Sequence, residues 1–534
     1  MVYTILDCYT DEPAGLGVPP YLGTYPRYIA GYLNEDVNYI TIDDLRLFIK
    51  NNSKIIETKT AKNRRFSRYL EPMVPKPSQK TDITTYNLTV NYKNHENRRF
   101  SGCRKSMIFE HINKILEETD TLIIVLGVHV PGKYLSAVPG TLNEVILLIK
   151  DINCRKILTG PVVFGTQLYG GRFFEKADLS VFDKVDYSMF NFTYDKVKEY
   201  ALNGVKIVKH IPDYRMIEIE TGHGCDIGKC SFCTEPIKNK VEFREKENVL
   251  KEIIEFYKLG CRYFRLGKQT CFYTFPDAIE LLKDIRDKCP DIKVLHLDNV
   301  NPVKVVMDKN HEITKAVVKY CSSGNIAAFG VESFDKEVVK QNSLNTSPSI
   351  AYEAIKILNK YGAKRGEDGM PKFLPGINII FGLRGESKKT NEENMKWLKK
   401  IYNDGLMLRR INIRQVAIFE GTSLFDEGKD KFLRKNKKYY WKWRNEIRQK
   451  IDCPMLQRIV PKGTVLRSCY AEIYDGNTTF CRQFGTYPLI VGVKGRLELK
   501  KFFDLEITGH MLRSLVGKVS RENELEPIKT YINS

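Results

Sequence analysis

The chain has 534 residues, a length that predicts about three domains, and its 42% apolar and 28% charged residues are typical of a soluble globular protein. No apolar run approaches the roughly 18 residues that a membrane-spanning helix needs, so the sequence predicts none. The net charge of +20 fits either a phosphate-rich partner such as RNA or a merely solvated excess of lysine.

The first residues and the cysteines together indicate a cytoplasmic protein. Val2–Asp7 is an apolar run with no basic segment before it, so we expect no secretory signal. The 13 cysteines occur mostly as single residues, a distribution that favours reduced thiols over a disulfide framework.

Residues 1–200 are predicted to form an α/β domain with a Rossmann-like parallel sheet. Apolar strands, glycine-rich loops and helices recur in that order, as in a doubly wound fold. Thr141, with Glu144 three residues later, predicts a helix start by a capping box. The basic and polar segment 45–118 fits no part of the sheet, so we predict an insertion there. The predicted strands are Val2–Cys8, Val37–Ile42, Thr121–Gly127 and Lys156–Thr159.

Residues 213–425 contain six strand–helix units, which predict a partial (β/α)6 barrel that is open on one side. In the last strand Arg410, Asn412 and Arg414 share one face, because side chains alternate along a strand. If this face lines the barrel, Arg414 is placed to bind a carboxylate or phosphate; the alternative is contact with the N-terminal domain. The predicted strands are Met216–Glu220, Arg262–Leu266, Lys293–Leu297, Asn325–Val331, Gly376–Phe381 and Arg410–Ile418.

Residues 426–454 form a predicted linker and residues 455–519 a predicted third domain. In the linker, basic residues interleave with aromatic ones, a pattern that fits nucleic-acid binding. An amphipathic helix packed on the barrel explains the same pattern and is our preferred interpretation. In the third domain, short strands separated by glycines predict a small β-barrel. These strands are Val465–Ile473, Thr478–Gln483, Tyr487–Val493 and Phe503–Ile507.

The strongest chemical signal is the trio Cys225, Cys230 and Cys233. They follow the strand Met216–Glu220, on a loop where α/β folds place their chemistry. Soft thiolates favour an iron–sulfur cluster or zinc. Three thiolates leave one iron of a [4Fe–4S] cluster open to a small molecule, whereas structural zinc needs a fourth ligand, for which His223 is available.

This loop, with the aromatic Phe232 before the third cysteine, resembles that of the radical SAM superfamily. The resemblance implies that the three cysteines ligate a [4Fe–4S] cluster whose open iron binds S-adenosylmethionine (SAM). It also implies an external electron donor of the flavodoxin or ferredoxin type and the formation of a 5′-deoxyadenosyl radical. The family usually has three residues between its first two cysteines, and here the segment Asp226–Lys229 has four. We expect Gly228 to absorb the extra residue, because glycine tolerates unusual backbone angles.

Motifs at later strand ends extend the resemblance. Leu266-Gly-Lys-Gln269 and Gly330-Val-Glu-Ser333 resemble segments that contact SAM in the family, and Gly376–Glu386 resembles the segment beside its adenine. We expect Glu386 to support a helix rather than to contact SAM. No catalytic residue is identified. The predicted cofactor-binding residues are Gly267, Gln269, Glu332, Ser333 and Arg414, the last from the strand-face argument.

The flanking domains also carry resemblances. Pro19–Ala30 resembles the first loop and helix of the cobalamin-binding-like domain that precedes many radical SAM cores. The Asp-x-His-x-x-Gly motif of that group is absent from Asp7–Glu12, so cobalamin without a protein ligand and no cobalamin at all both stay open. The pattern from Ala471 to Gly517 resembles the TRAM domain, an OB-like fold, which implies RNA contact or a substrate lid.

The sequence therefore predicts a radical SAM enzyme, with a transferase favoured, whose substrate it does not identify. Cobalamin-dependent methyl transfer is the first hypothesis, and RNA modification like that of the methylthiotransferases is the rival. Against the rival, Cys8, Cys103 and Cys154 do not form its second three-cysteine pattern, and His129 stands where one thiol would be expected. A hypothesis from another class is a non-enzymatic RNA-binding protein with structural zinc.

Overall fold

The computed structural model describes residues 1–9, 21–48, 111–127 and 135–523, apart from residues 165, 168–173, 176–178, 187, 191, 212 and 429. An N-terminal parallel sheet, a core of six parallel strands and a closed β-barrel follow one another along the chain. None of the helices described here is both long enough and apolar enough to cross a bilayer.

The N-terminal sheet is parallel throughout and has the order β3-β1-β4-β5-β8. Its central strand β4 is apolar and fully buried, as the sequence predicted. Because β1 lies between β3 and β4, the strand order reverses there, and the crevice where α/β folds bind ligands lies at that reversal. The strands are β1 Tyr3–Asp7, β2 Tyr21–Leu22, β3 Val37–Thr41, β4 Thr121–Val125, β5 Arg155–Thr159, β6 Thr166–Gln167, β7 Phe174–Glu175 and β8 Lys184–Val185.

Helices pack against this sheet, and three of them lie wholly within the described residues. The second begins at the predicted capping box. The Thr141 side chain accepts a hydrogen bond from the Glu144 amide, and the Glu144 carboxylate accepts one from the Thr141 amide. The third packs against the first. These helices are α1 Thr24–Leu33, α2 Leu142–Ile149 and α3 Tyr194–Asn203.

The predicted insertion at 45–118 is wrong at both ends. Residues 42–48 and 111–118 are helical, and Leu45 and Ile112 are buried in the core of the sheet. Apolar side chains on these helical turns pack on the sheet, which a count of basic residues does not reveal. The charge-rich pieces Lys59–Arg68 and Asn94–Lys105 lie outside the described residues.

The core has the six predicted strands, arranged in two parallel sheets. One sheet has the order β13-β12-β9-β2 and the other β14-β15-β16, and a bridge between Asn299 and Ala328 joins them. The edge strand β2 comes from the N-terminal domain. A hairpin, β10 with β11, follows β9. The strands are β9 Met216–Glu220, β10 Gly222–His223, β11 Glu242–Phe243, β12 Tyr263–Gly267, β13 Val294–Leu297, β14 Asn325–Glu332, β15 Phe373–Phe381 and β16 Arg410–Gln415.

Helices cover one face of these two sheets, and we call the opposite face the inner face. In β16 the side chains of Ile411 and Ile413 join the apolar core beneath the helices, so Arg410, Asn412 and Arg414 lie on the inner face. The helices of the core are α4 Glu235–Lys238, α5 Lys246–Lys258, α6 Ala278–Lys288, α7 Pro302–Met307, α8 Glu312–Tyr320, α9 Lys336–Gln341, α10 Pro348–Gly362, α11 Lys388–Asn403 and α12 Ser423–Asp426.

The basic and aromatic linker is a helix, α13 Lys431–Ile447, continued by a π-helical turn at Arg448–Asp452 and by α14 Cys453–Ile459. Tyr440 and Trp443 are buried one turn apart and pack into the apolar core, which agrees with the interpretation that we preferred.

The C-terminal strands form a closed barrel with the order β17-β18-β19-β21-β20. The prediction of a strand at Tyr487–Val493 is wrong over its first half: Tyr487 has a positive φ of 55°, and Pro488 has no amide hydrogen to donate. A fifth strand continues beyond residue 519. The strands are β17 Val465–Asp475, β18 Thr478–Gln483, β19 Val491–Lys494, β20 Phe502–His510 and β21 Leu515–Asn523.

Candidate active site

The three cysteines lie on the loop that leaves the carboxyl end of β9, as predicted. All three are half-buried. Gly228 has a φ of +56°, and its amide hydrogen is donated to the Cys225 sulfur at 3.4 Å. The additional residue between Cys225 and Cys230 is therefore absorbed by a left-handed glycine turn.

The thiols and Glu332 interact electrostatically. Burial, reinforced by Cys233 and Glu332, raises the pKa of Cys230 to about 12, and burial also raises the pKa of Cys233 to about 11. Cys225 contributes to both shifts, so the three sulfurs lie within electrostatic reach of one another. Thiols of this kind become thiolates when a metal centre binds them.

The donor set of three thiols suits an iron–sulfur cluster or, with a fourth ligand, zinc. Within the part of the chain that the structure describes, no three His, Cys, Asp or Glu side chains converge on a point as ligands of one ion do. A cubane distributes its thiolates over separate irons, whereas zinc needs four ligands around one centre.

His223, the candidate fourth zinc ligand, is held by carboxylates. Its Nδ1 lies 3.6 Å from Glu220 and its Nε2 lies 3.5 Å from Glu242. Burial lowers the pKa of His223, but these two carboxylates outweigh burial and raise it. The ring thus lies between Glu220 and Glu242, and its role as the fourth ligand of a zinc site stays a prediction.

Glu332, which interacts with Cys230 and Cys233, has a strained backbone conformation. It ends β14 after a register shift and has a positive φ of 61°, a conformation that is uncommon and costly for a residue with a side chain. Its Oε2 atom is buried and has no hydrogen-bond partner. Burial raises the pKa of Glu332 to about 7, against the opposing charge of Arg414. A buried oxygen without a partner is costly unless a ligand supplies a donor.

The other predicted cofactor-binding residues lie at the same strand ends but make internal contacts. Gln269 accepts a hydrogen bond from the Thr221 hydroxyl at 2.8 Å. The Ser333 hydroxyl accepts from the Asp335 amide at 3.1 Å, just before α9. A side chain on Gly267 would place a Cβ 2.7 Å from Oε1 of Glu218, which excludes larger residues there.

An ion-pair group on the inner face was missed by sequence reasoning. Arg265 pairs with Glu218 and lies 3.4 Å from Asp298. Tyr487, from the C-terminal barrel, donates its hydroxyl to Asp298 at 3.2 Å, and the Arg410 guanidinium lies 4.0 Å from its ring centroid. The alternation of Glu218 and Arg265 with apolar neighbours signals the pair, but nothing in the sequence links it to Tyr487.

The remaining polar residues of β16 also stay on this face. Asn412 donates to Asn378 on β15 at 2.9 Å. Arg414 lowers the pKa of Glu332, so these two groups interact across β14 and β16. The alternative that this face of β16 contacts the N-terminal domain stays a prediction.

Comparisons with known proteins agree with this site. Residues 219–398 match the radical SAM superfamily. The uncharacterized protein MJ0274 of Methanocaldococcus jannaschii is 38% identical over 97% of this chain and 93% of its own length. An uncharacterized protein of Archaeoglobus fulgidus is 34% identical over 97% of this chain and 90% of its own.

Among solved structures, the chain is similar to the radical SAM methyltransferase TsrM of Kitasatospora setae with cobalamin and a [4Fe–4S] cluster bound. The identity is 12%, the coverage is 80% of this chain and 78% of TsrM, and the TM-score is 0.43. The cobalamin-dependent radical enzyme OxsB has the same identity and TM-score over 83% of this chain and 56% of its own. On the evidence of the two archaeal relatives and the matched core, the chain belongs to the family of MJ0274 and contains a radical SAM domain.

Proposed function

We propose that the protein is a radical SAM enzyme in which Cys225, Cys230 and Cys233 hold a [4Fe–4S] cluster and SAM binds its open iron. Such a cluster supplies one electron, from a flavodoxin- or ferredoxin-type donor in the cytoplasm, that cleaves SAM to a 5′-deoxyadenosyl radical. The observation that carries the proposal is the buried, partnerless Oε2 of Glu332 within electrostatic reach of Cys230 and Cys233.

The chain's own residues have definite roles in this proposal. The Glu332 oxygen accepts a hydrogen bond from the SAM ammonium group, which satisfies an otherwise costly buried acceptor. Arg414, on β16 of the same sheet, binds the SAM carboxylate. Gly267 lets the SAM backbone approach β12, while Gln269 and Ser333 hold the strand ends in place. Together the six core strands form the partial barrel that the sequence predicts.

Anaerobic reconstitution tests the cluster. About four irons and four sulfides per chain are expected, with 5′-deoxyadenosine formed from SAM after dithionite reduction. Cys225→Ser, Cys230→Ser and Cys233→Ser should each abolish the product. Cys154→Ser is the matched control, because Cys154 is also half-buried but lies in the N-terminal domain, just before β5. One zinc and no sulfide per chain would instead identify the zinc-containing RNA-binding protein.

For the reaction, we propose cobalamin-dependent methyl transfer. The support is the strand reversal between β1 and β4, since α/β folds bind ligands at such a point. Cobalamin supplied during reconstitution should then stay with the protein through gel filtration and show a corrin spectrum. Absence of bound corrin, together with about eight irons per chain, would favour the methylthiotransferase-like alternative.

For the C-terminal barrel, we propose an OB/TRAM-like fold that closes the inner face. The supporting observation is that the segment Gly485–Tyr487 enters this face and contacts His296 and Asp298. This use of the barrel favours a role at the substrate site over RNA binding. A gel-shift titration with total tRNA tests the choice, and tight binding would restore RNA as the partner.

A further inference from the structure

Beside the inner face lies a group of six arginines, which we call the arginine cluster. Its members come from three parts of the chain that are distant in sequence: the strand β16, the helix α13 with its π-helical turn, and the loop between β20 and β21. The members, which interact electrostatically with one another, are Arg409, Arg410, Arg414, Arg444, Arg448 and Arg513.

The carboxylate of Asp452 pairs with two members of this cluster. It binds Arg448 and lies 3.8 Å from Arg513. Arg409 and Arg410 make no ion pair with a carboxylate among the residues that the structure describes; Arg409 donates to the Tyr487 carbonyl at 2.9 Å instead. Four members, Arg409, Arg410, Arg448 and Arg513, therefore share the single carboxylate of Asp452 among the described residues.

Burial makes this imbalance costly. Arg448 is 2% exposed, and its Nε atom has no hydrogen-bond partner. Burial and neighbouring guanidinium groups lower the pKa values of Arg409 and Arg410 to about 10 and of Arg513 to about 9. Buried cations normally have counter-ions, so an anion that enters from solution would relieve the repulsion.

The position of the cluster connects it with the SAM site. On β16, Arg414 interacts with Glu332, whereas Arg410 lies four residues away, which is about 13 Å along a strand. Arg410 is also stacked on Tyr487 of the C-terminal barrel. A ligand held at the Arg410 end would therefore extend along the inner face towards the proposed SAM site.

We propose that the substrate is a small molecule with a multiply charged anionic group, a phosphoryl group or several carboxylates, which the arginine cluster binds at the end remote from SAM. This inference rests on the proposed function, because it names the substrate class of that site. Guanidinium groups suit the role, since their planar forks bind phosphate and carboxylate oxygens in pairs.

Calorimetry with pyrophosphate, on protein without cluster or SAM, tests the anion site directly. Saturable binding is expected, weakened at least tenfold by Arg410→Gln and by Arg513→Gln and less by Arg410→Lys, which keeps the charge but loses the fork. Arg434→Gln is the matched control, because the Arg434 side chain is 71% exposed. No saturable binding, or equal binding by all variants, would overturn the inference.

A second measurement identifies the chemical class. A small-molecule cell extract is separated by anion exchange, and each fraction is assayed with reconstituted enzyme for a SAM-dependent change in mass. The substrate should elute at high salt; loss of the signal after phosphatase treatment indicates phosphoryl groups and its survival indicates carboxylates. A substrate that the anion-exchange column does not retain would contradict the inference, even if the enzyme cleaves SAM. Failure to cleave SAM would refute the proposed function but leave pyrophosphate binding unchanged.

Discussion

The contact between His296 and the C-terminal barrel should weaken in acid. The Thr486 amide donates to Nδ1 of His296 at 2.9 Å, and Nε2 lies 2.9 Å from the Ser323 carbonyl, which can only accept. Nε2 therefore carries the hydrogen and the ring is neutral. A second proton, on Nδ1, would face the Thr486 amide hydrogen and break the contact.

The size of the effect follows from the pKa. Burial, aided by Arg286 and Arg409, lowers the pKa of His296 to about 4 from its ordinary value near 6.5. The undocked state therefore takes up a proton at a higher pH than the docked state. The contribution to docking is fully present above the ordinary pKa and is lost as the pH falls towards about 4. From pH 7 to pH 5 the loss is about 1.8 kcal/mol, or about 20-fold in the docking equilibrium.

Hydrogen exchange measured by mass spectrometry gives the assay. After correction for intrinsic rates, peptides that cover residues 484–490 should exchange about 20-fold faster at pH 5 than at pH 7. His296→Gln keeps an acceptor but takes up no proton in this range, so its ratio should stay near one. A wild-type ratio below about two, or the same ratio in the variant, would refute the assigned tautomer and its linkage.

Two further predictions concern stability. Glu252→Gln should destabilise the protein by about 3–5 kcal/mol, seen as a lower melting temperature, because it leaves the buried Arg27 and Arg244 without their shared carboxylate; an unchanged melting temperature would show that the pair is not formed. Trp443→Ala should lower the free energy of unfolding in urea by about 3–5 kcal/mol, because Trp443 is buried. Trp441→Ala, at a site that is 59% exposed, should change it by no more than about 0.5 kcal/mol. The reverse order would mean that α13 turns its other face to the core.

The sequence identified the elements whose signals are local. The spacing of Cys225, Cys230 and Cys233, and the strand before them, predicted the position of the loop, because thiolate chemistry and strand alternation are read from neighbouring residues. The same holds for Thr141, whose hydroxyl and Glu144 partner are three residues apart. For Arg414, period two predicted the shared face, but only the fold showed that this face is the inner one.

Long-range contacts were not predictable, because they depend on how distant segments meet. Tyr487 reads as the start of a strand, yet the structure places it between Asp298 and Arg410, far from it in sequence. The partnerless oxygen of Glu332 is equally invisible, since a strand-end carboxylate usually finds a helix or water. Six arginines scattered between residues 409 and 513 show no pattern until β16 and the barrel bring them together.

The short strand β2 has a consequence for the independence of the domains. Tyr21 and Leu22 extend the core sheet beyond Met216 and Ile217, and Arg27 of α1 reaches Glu252 and the Glu218 carbonyl. In a truncated protein that began after residue 210, β9 would be an unpaired edge strand, which promotes aggregation. Glu252 would also lose its ion pair with Arg27, which destabilises the fold. The segment Tyr21–Leu33 thus belongs to the folding unit of the radical SAM core, so evolution would retain it even in a homologue that binds no corrin.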